Sequence, residues 1–142
     1  HILSLYDNWL ISQVTNQIRR KMNYTFKDDS PIFQQLAKAL EDDIFLGTYE
    51  EGTAIPSTTE LSVALHINPA TVLKAMNLLL DMDLIEKRRG IGMFVKNGAK
   101  ERIRERRKTE FKDKYLSPLL EEAKRLGMDR KEIALLIMGE EK

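Results

Sequence analysis

Two short amphipathic segments joined by a tight turn, a basic hairpin tipped by glycines just after them, and a long charged tail with a sparse apolar stripe predict a mainly α fold with a small β wing. These are the marks of a winged helix-turn-helix domain, expected over residues 24–96, followed by a C-terminal helical dimerisation region over 97–142. Residues 1–22 stand apart, because Met22 immediately precedes the first well-organised stretch. They read either as a segment foreign to the natural chain or as an extra helix. In the second case Leu3, Leu5, Trp9, Leu10, Val14 and Ile18 form an apolar stripe whose Trp9 face packs on the domain or on a neighbour. The stretch has no small-residue cleavage site of a secretory signal.

The organised part opens at Asp28-Asp29-Ser30-Pro31, where Ser30 can cap a helix and Pro31 suits its first position. Ile32, Phe33, Leu36, Leu40 and Ile44 then recur at helical spacing until Gly47 stops the run. A turn-rich stretch, Tyr49 to Gly52, leads to Ile55-Pro56-Ser57. Ser57 with Glu60 three residues on makes a capping box for a second helix, with Leu61, Ala64 and Leu65 on its apolar side. After a turn at His66-Ile67, Asn68 caps a third helix and Pro69 takes its first position. Val72, Ala75, Met76, Leu79 and Leu80 form its buried stripe.

The hairpin follows directly. Leu84–Lys87 and Met93–Lys96 read as strands, with Arg88-Arg89-Gly90-Ile91-Gly92 at the tip and Asn97-Gly98 as the end. Beyond it Ile103, Phe111, Tyr115, Leu119, Leu120, Ala123 and Leu126 lie on roughly one face of a charged helix, which Ser117-Pro118 kinks or restarts. Gly127 supplies a stop and Asp129 a cap for a last short helix carrying Ile133, Ala134, Leu136 and Ile137. Two such helices can hardly enclose a cavity, so their apolar faces need a partner. A second copy of the chain is expected to cover Phe111, Tyr115, Leu119, Leu120, Ile133 and Ile137.

Composition narrows the chemistry. Hydrophobic residues make up 42% and charged residues 32% of the 142 residues, the balance of a globular protein. No cysteine is present, which excludes disulfides, thiolate metal sites and cysteine nucleophiles, and suits a cytoplasmic location. No apolar run approaches the ~18 residues of a membrane span, so no membrane partner is expected. The only histidines, His1 and His66, have no ligand partner at metal spacing. Asp42, Asp43, Asp81 and Asp83 are scattered on helix surfaces and ends, and Arg89-Gly90-Ile91-Gly92 lies in a hairpin rather than between a strand and a helix. No catalytic residue, metal site or cofactor is therefore expected.

Charge is informative where its average is not. The net charge is only +1, yet ten basic residues fall between Lys87 and Lys108, opposed there by Glu101 and Glu105 alone. Acidic residues gather upstream at Glu41-Asp42-Asp43 and Glu50-Glu51. One basic face is the electrostatic footprint of a nucleic-acid binder. Within that reading, double-stranded operator DNA would meet Ser57, Thr58 and Thr59 at the second helix, Asn68, Ala70, Thr71 and Lys74 on the third, and Lys87, Arg88, Arg89 and Gly90 in the wing. Asn68 could equally be purely a helix cap.

The ordered series resembles the DNA-binding domain of the GntR family of bacterial regulators. It runs from Pro31-Ile32-Phe33-x-Gln35-Leu36 through Ile55-Pro56-Ser57, Glu60-Leu61, Asn68-Pro69-Ala70-Thr71-Val72, Ala75-Met76 and Leu84-Ile85 to the wing Arg89-Gly90-x-Gly92-Met93-Phe94-Val95. The short two-helix tail and the Gly-Met-Phe-Val wing are similar to the YtrA subfamily. The resemblance implies a homodimeric repressor of a pseudo-palindromic operator, with transporter genes as targets. Three positions depart from the pattern. Thr59 stands where the family commonly has a DNA-contacting arginine, and Pro69 and Leu73 stand where some relatives have others. Two other readings remain open at this point: a winged-helix protein-interaction module that never touches DNA, and a regulator with an effector site at its dimer interface. The effector's identity is open as well.

Overall fold

A computed structural model describes residues 2–21 and 24–139. The elements run α1 (Ile2–Lys21), α2 (Ile32–Leu46), α3 (Thr58–Leu65), α4 (Pro69–Asp81), β1 (Ile85–Arg88), β2 (Gly92–Val95), α5 (Ala99–Phe111), α6 (Ser117–Arg125) and α7 (Arg130–Gly139). A π-helical turn, Lys112–Leu116, joins α5 to α6. The chain forms two compact units that divide after Ile103, inside α5.

In the first unit α2 lies against α4. Leu36, Leu40 and Ile44 of α2 meet the stripe Val72, Ala75, Met76 and Leu79 of α4, and Leu61, Val95 and Ile103 complete the same fully buried cluster. Ala99 is also buried there, so the first turns of α5 belong to this core, beyond the residue 96 at which the winged domain was expected to end. Ile103 accordingly does not share the exposed face of the tail, as its spacing suggested. Ile32, expected in the α2 stripe, is 43% exposed at the helix start.

Local caps explain most element boundaries. The Ser57 hydroxyl accepts the Glu60 N–H at 3.1 Å, and Asn68 Oδ1 accepts the Ala70 N–H at 2.8 Å with Pro69 beginning the helix behind it. Gly47 ends α2 in the left-handed region, φ 84°, a conformation that glycine adopts without strain. The expected Ser30 cap is not used. Pro31 itself occupies the cap position, and the Gln35 side chain clamps the approach instead. Its amide donates to the carbonyls of Lys27 and Ser30, each at 2.7 Å, and its oxygen accepts the Lys27 N–H at 2.8 Å. One side chain that serves three backbone groups thus fixes the chain leading into α2, while the helix start itself has no side-chain cap.

β1 and β2 pair antiparallel, Ile85 with Val95 and Arg88 with Gly92, one residue later in the first strand and one earlier in the second than expected. The stretch 52–55, read from sequence as the end of a turn region, runs along the free edge of β2. Gly52 N–H donates to Val95 O, Val95 N–H to Thr53 O, and Ile55 N–H to Met93 O, at 2.8 to 2.9 Å. The wing thus rests on a third extended segment, which satisfies the β2 edge.

Long-range polar contacts fasten the wing to α5. The Glu51 carboxylate accepts the N–H groups of Gly98 at 3.0 Å and Lys100 at 3.2 Å, serving as the cap of α5 from across the chain. Asp83, itself in the left-handed region at φ 61°, binds Lys96 at 2.5 Å and Arg102 at 3.5 Å. The hydrogen bond from Lys96 holds its carboxyl below the usual carboxylate range. At the start of α2's far end, the buried Asp43 accepts the Tyr24 hydroxyl, and burial pushes that phenol's pKa up, so it stays a donor.

α1 packs on α3, with Ile18 inside the core cluster and Val14 beside it. Trp9, which the extra-helix reading placed on a packing face, is 58% exposed. The side chains of Leu3 and Leu5, and all of Met22, lie outside the described residues.

In the second unit the π-helical turn follows from Pro118, which has no N–H to continue the ladder. The Ser117 N–H reaches back five residues to Lys112 O, and α6 restarts there. Gly127, φ 72°, ends α6, and Asp129 Oδ1 caps α7 through the Glu132 N–H at 2.9 Å. α6 and α7 flank an open apolar groove of about 360 Å³, not an enclosed cavity, lined by Leu119, Leu126, Ile133 and Ile137 among others.

Glu51→Ala removes the acceptor for two α5 backbone donors and is expected to cost about 1 kcal/mol, the usual scale of a lost N-cap. Thermal unfolding should show a midpoint lower by roughly 4–8 °C for a unit of this size. An unchanged midpoint would mean that water satisfies these two groups equally well.

Candidate nucleic-acid interface

The turn between α3 and α4 is built by His66 in the left-handed region, φ 55°. Ser62 braces it, its hydroxyl donating to Ile67 O at 2.6 Å while the Ile67 N–H returns to Ser62 O at 3.1 Å. With Val72, Ala75, Met76 and Leu79 locked inward, helical geometry turns Ala70, Leu73, Lys74 and Asn77 outward, all exposed. Thr71 lies on the flank of that face and is half-buried. Leu73, noted from sequence only as a departure from the family pattern, and Asn77, not noted at all, lie on the same face at i+3 and i+7 from Ala70.

Asn68 is held as the cap of α4 through Oδ1, which fixes its orientation and leaves its amide nitrogen free to donate to an outside partner. Lys74 Nζ sits 5.7 Å from the centre of the Phe33 ring, a contact that orients the ammonium without neutralising it. Ser57 and Thr58 are half-buried at the start of α3, where Ser57 is engaged as its cap. Thr59 is exposed but lines a crevice with Leu10, Val14 and Thr15 of α1. Sequence spacing placed it beside Ser57 and Thr58; the neighbouring α1 wall was not legible there.

In the wing, Gly90 adopts φ 76° and the Ile91 N–H closes the turn onto Arg88 O at 2.9 Å. A β-carbon at Gly90 would be strained in that conformation. Arg88 is committed within the hairpin: it pairs with Glu86 at 3.2 Å and its guanidinium lies 4.0 Å from the Phe94 ring centre. Lys87 and Arg89 are exposed and have no ion pair among the described residues. Ile91, 73% exposed at the tip, is a further residue the sequence reading passed over.

The basic excess of the sequence is therefore unevenly usable. Lys96 and Arg102 are spent on Asp83, Lys108 pairs with Glu105, and Arg106 with Glu110. Among the cations open to a polyanion in the first unit, Lys74, Lys87 and Arg89 lie on the outward face of α4 and the wing. No group of three or more acidic, histidine or cysteine side chains among the described residues could hold a metal ion. No helix among them is long and apolar enough to cross a membrane.

Comparison with known proteins identifies the family and the fold. Residues 32–95 match the family model described as bacterial regulatory proteins, gntR family. A crystal structure of a GntR-family transcriptional regulator from Bacteroides thetaiotaomicron is 36% identical, covers 76% of this chain and 94% of its own, and superposes with a TM-score of 0.66. A transcriptional regulator from Oenococcus oeni, 21% identical over 82% of this chain and 95% of its own, shares the fold with a TM-score of 0.68. The transcriptional repressor YtrA of Bacillus subtilis is 29% identical over 103 residues, 72% of this chain and 78% of YtrA. The chain belongs to the GntR family of bacterial regulatory proteins, and it is a DNA-binding transcription regulator rather than an enzyme.

Proposed function

We propose that the protein is a cytoplasmic repressor that binds a pseudo-palindromic operator as a homodimer. The observation that carries the DNA-reading half of this proposal is the shared exposure of the α4 outward face and the unpaired wing cations Lys87 and Arg89. A recognition helix reads base edges from the major groove, and an arginine on a hairpin is favoured in a narrow minor groove. Lys74, Thr71 and the amide of Asn68 would meet the duplex beside Ala70. Lys87, Arg89 and the close-fitting Gly90 would meet the neighbouring groove, with Arg88 bracing the hairpin from inside. Ser57 and Thr58 would present the backbone N–H groups of the α3 start to a phosphate. YtrA, a relative of similar make-up, is named a repressor, which supports the direction of control.

The dimer half rests on the second unit. Phe111, Tyr115, Leu119 and Ile137 are 44 to 58% exposed there, with Leu120 and Ile133 half-buried beside them. Phe111 and Tyr115 already stack at 5.8 Å, which forms an apolar ridge rather than scattered residues. A second copy is the natural cover for such a surface, since contiguous apolar patches on this scale mark association sites. A two-fold dimer would bring two α4 helices to half-sites one helical turn, or a multiple, apart.

Arg89→Ala and Lys74→Ala are each expected to weaken binding to duplex DNA without unfolding the protein. Each lost phosphate contact should reduce the slope of log K against log salt by roughly 0.9. Fluorescence titrations at graded salt measure this, and wild-type affinity and slope in both variants would displace the proposed face.

Combining Leu119→Asp with Ile137→Asp places charges on exposed positions of the tail and should yield a folded monomer by sedimentation. Operator affinity should then fall by about 10²-fold or more, because two linked binding events become independent ones. A dimer that survives both substitutions would place the interface elsewhere.

A further inference from the structure

The outward face of α4 is not uniformly polar. Leu73 stands 48% exposed in its middle, with Ala70 one turn before it and Lys74 and Asn77 at its sides. The inward stripe of the helix is complete without it, since Val72, Ala75, Met76 and Leu79 are all fully buried. Leu73 therefore contributes nothing to the core that positions the helix.

We propose that Leu73 is a specificity-determining residue that reads thymine through its C5-methyl group. The assignment rests on the reading of α4 as the helix that enters the major groove. Each base pair displays hydrogen-bonding groups there, and a leucine can use none of them. The one apolar feature on the groove floor is the thymine methyl, and apolar side chains recognise it by contact. Ala70 and Leu73, about one turn or ~5 Å apart along the helix, form a strip that matches neighbouring thymines stacked ~3.4 Å apart on one strand. Asn77, four residues after Leu73, carries the side-chain amide that pairs bidentately with adenine N6 and N7. The three residues together select A·T pairs by two different chemistries. A guanine or cytosine at the Leu73 position would leave its polar edge desolvated under an apolar side chain, which adds discrimination against them.

The test starts with selection of the full-length protein on a random-sequence duplex pool. The enriched half-site should contain adjacent thymines. Replacing one of them by deoxyuridine removes only the methyl group, and wild-type affinity should fall about fourfold, the worth of one buried methyl-sized group. In Leu73→Ala that fourfold difference should vanish, and in Leu73→Met, which keeps an apolar side chain of similar length, it should return. Leu73 is exposed and outside the core, so circular dichroism of both variants should match the wild type. A selected site at which uracil and thymine bind equally well, or at which the difference survives in Leu73→Ala, overturns the Leu73 assignment while leaving DNA recognition by the winged helix intact. Failure to enrich any duplex would instead overturn the operator-binding reading on which it rests.

Discussion

Helix α4 can present a reading surface only because its opposite side is fully occupied. Val72, Ala75, Met76 and Leu79 are closed against Leu36, Leu40 and Ile44 of α2, and no rotation of the helix is possible without exposing one of these side chains. Burial of a leucine-sized side chain is worth about 1.5–3 kcal/mol, so a turn of the helix by one position would forfeit several such contributions at once. The outward direction of Ala70, Leu73, Lys74 and Asn77 is thus a consequence of the core and not of any contact they make themselves. The remaining devices in this unit act on the same seam. Asn68 and Pro69 fix where the helix starts, Ser62 and His66 fix the turn that leads into it, and Ala99 and Ile103 of α5 close the cluster from the far side.

Electrostatics then divides the cations by task. Asp83 draws Lys96 and Arg102 together behind the wing, and Glu86 with Phe94 holds Arg88 along the hairpin. These residues stiffen the wing and neutralise their own charge in doing so. Lys87 and Arg89, without such partners, keep theirs available at the tip. A hairpin this short would be marginal alone; the 52–55 segment bonds along its β2 edge, and Glu51 of the preceding turn caps α5 just after it. Acidic residues that look merely repulsive to DNA in the sequence are, in Glu51 and Asp83, the anchors of the basic element.

Much of this was legible from local pattern. The α2, α3 and α4 stripes, the Ser57 and Asn68 caps, the Gly47 and Gly127 stops and the glycine-tipped wing all depend on residues within a few positions of one another, where periodicity and turn chemistry speak directly. The candidate residues proposed on the wing and at the α4 start rest on the same local signals. Features that depend on distant partners were not legible. Gln35 clamping the approach to α2, Glu51 capping a helix almost fifty residues away, and the 52–55 segment beside β2 have no local signature. Ile103 shows the limit most clearly. Its spacing fits the tail stripe, yet the first turns of α5 fold into the winged unit and bury it there. Asn77 shares the exposed α4 face at i+7 from Ala70, a spacing already present in the sequence.

The central claim is that the seam between α2 and α4 aims one face of α4 and the wing at the same duplex. Backbone amide shifts of the full-length protein, recorded while a selected duplex is titrated in, test it residue by residue. The account predicts large shifts from 68 to 78 and from 87 to 92, smaller ones at the start of α3, and none in the buried stripes of α2. Shifts concentrated on α6 and α7, with α4 and the wing unmoved, would contradict it.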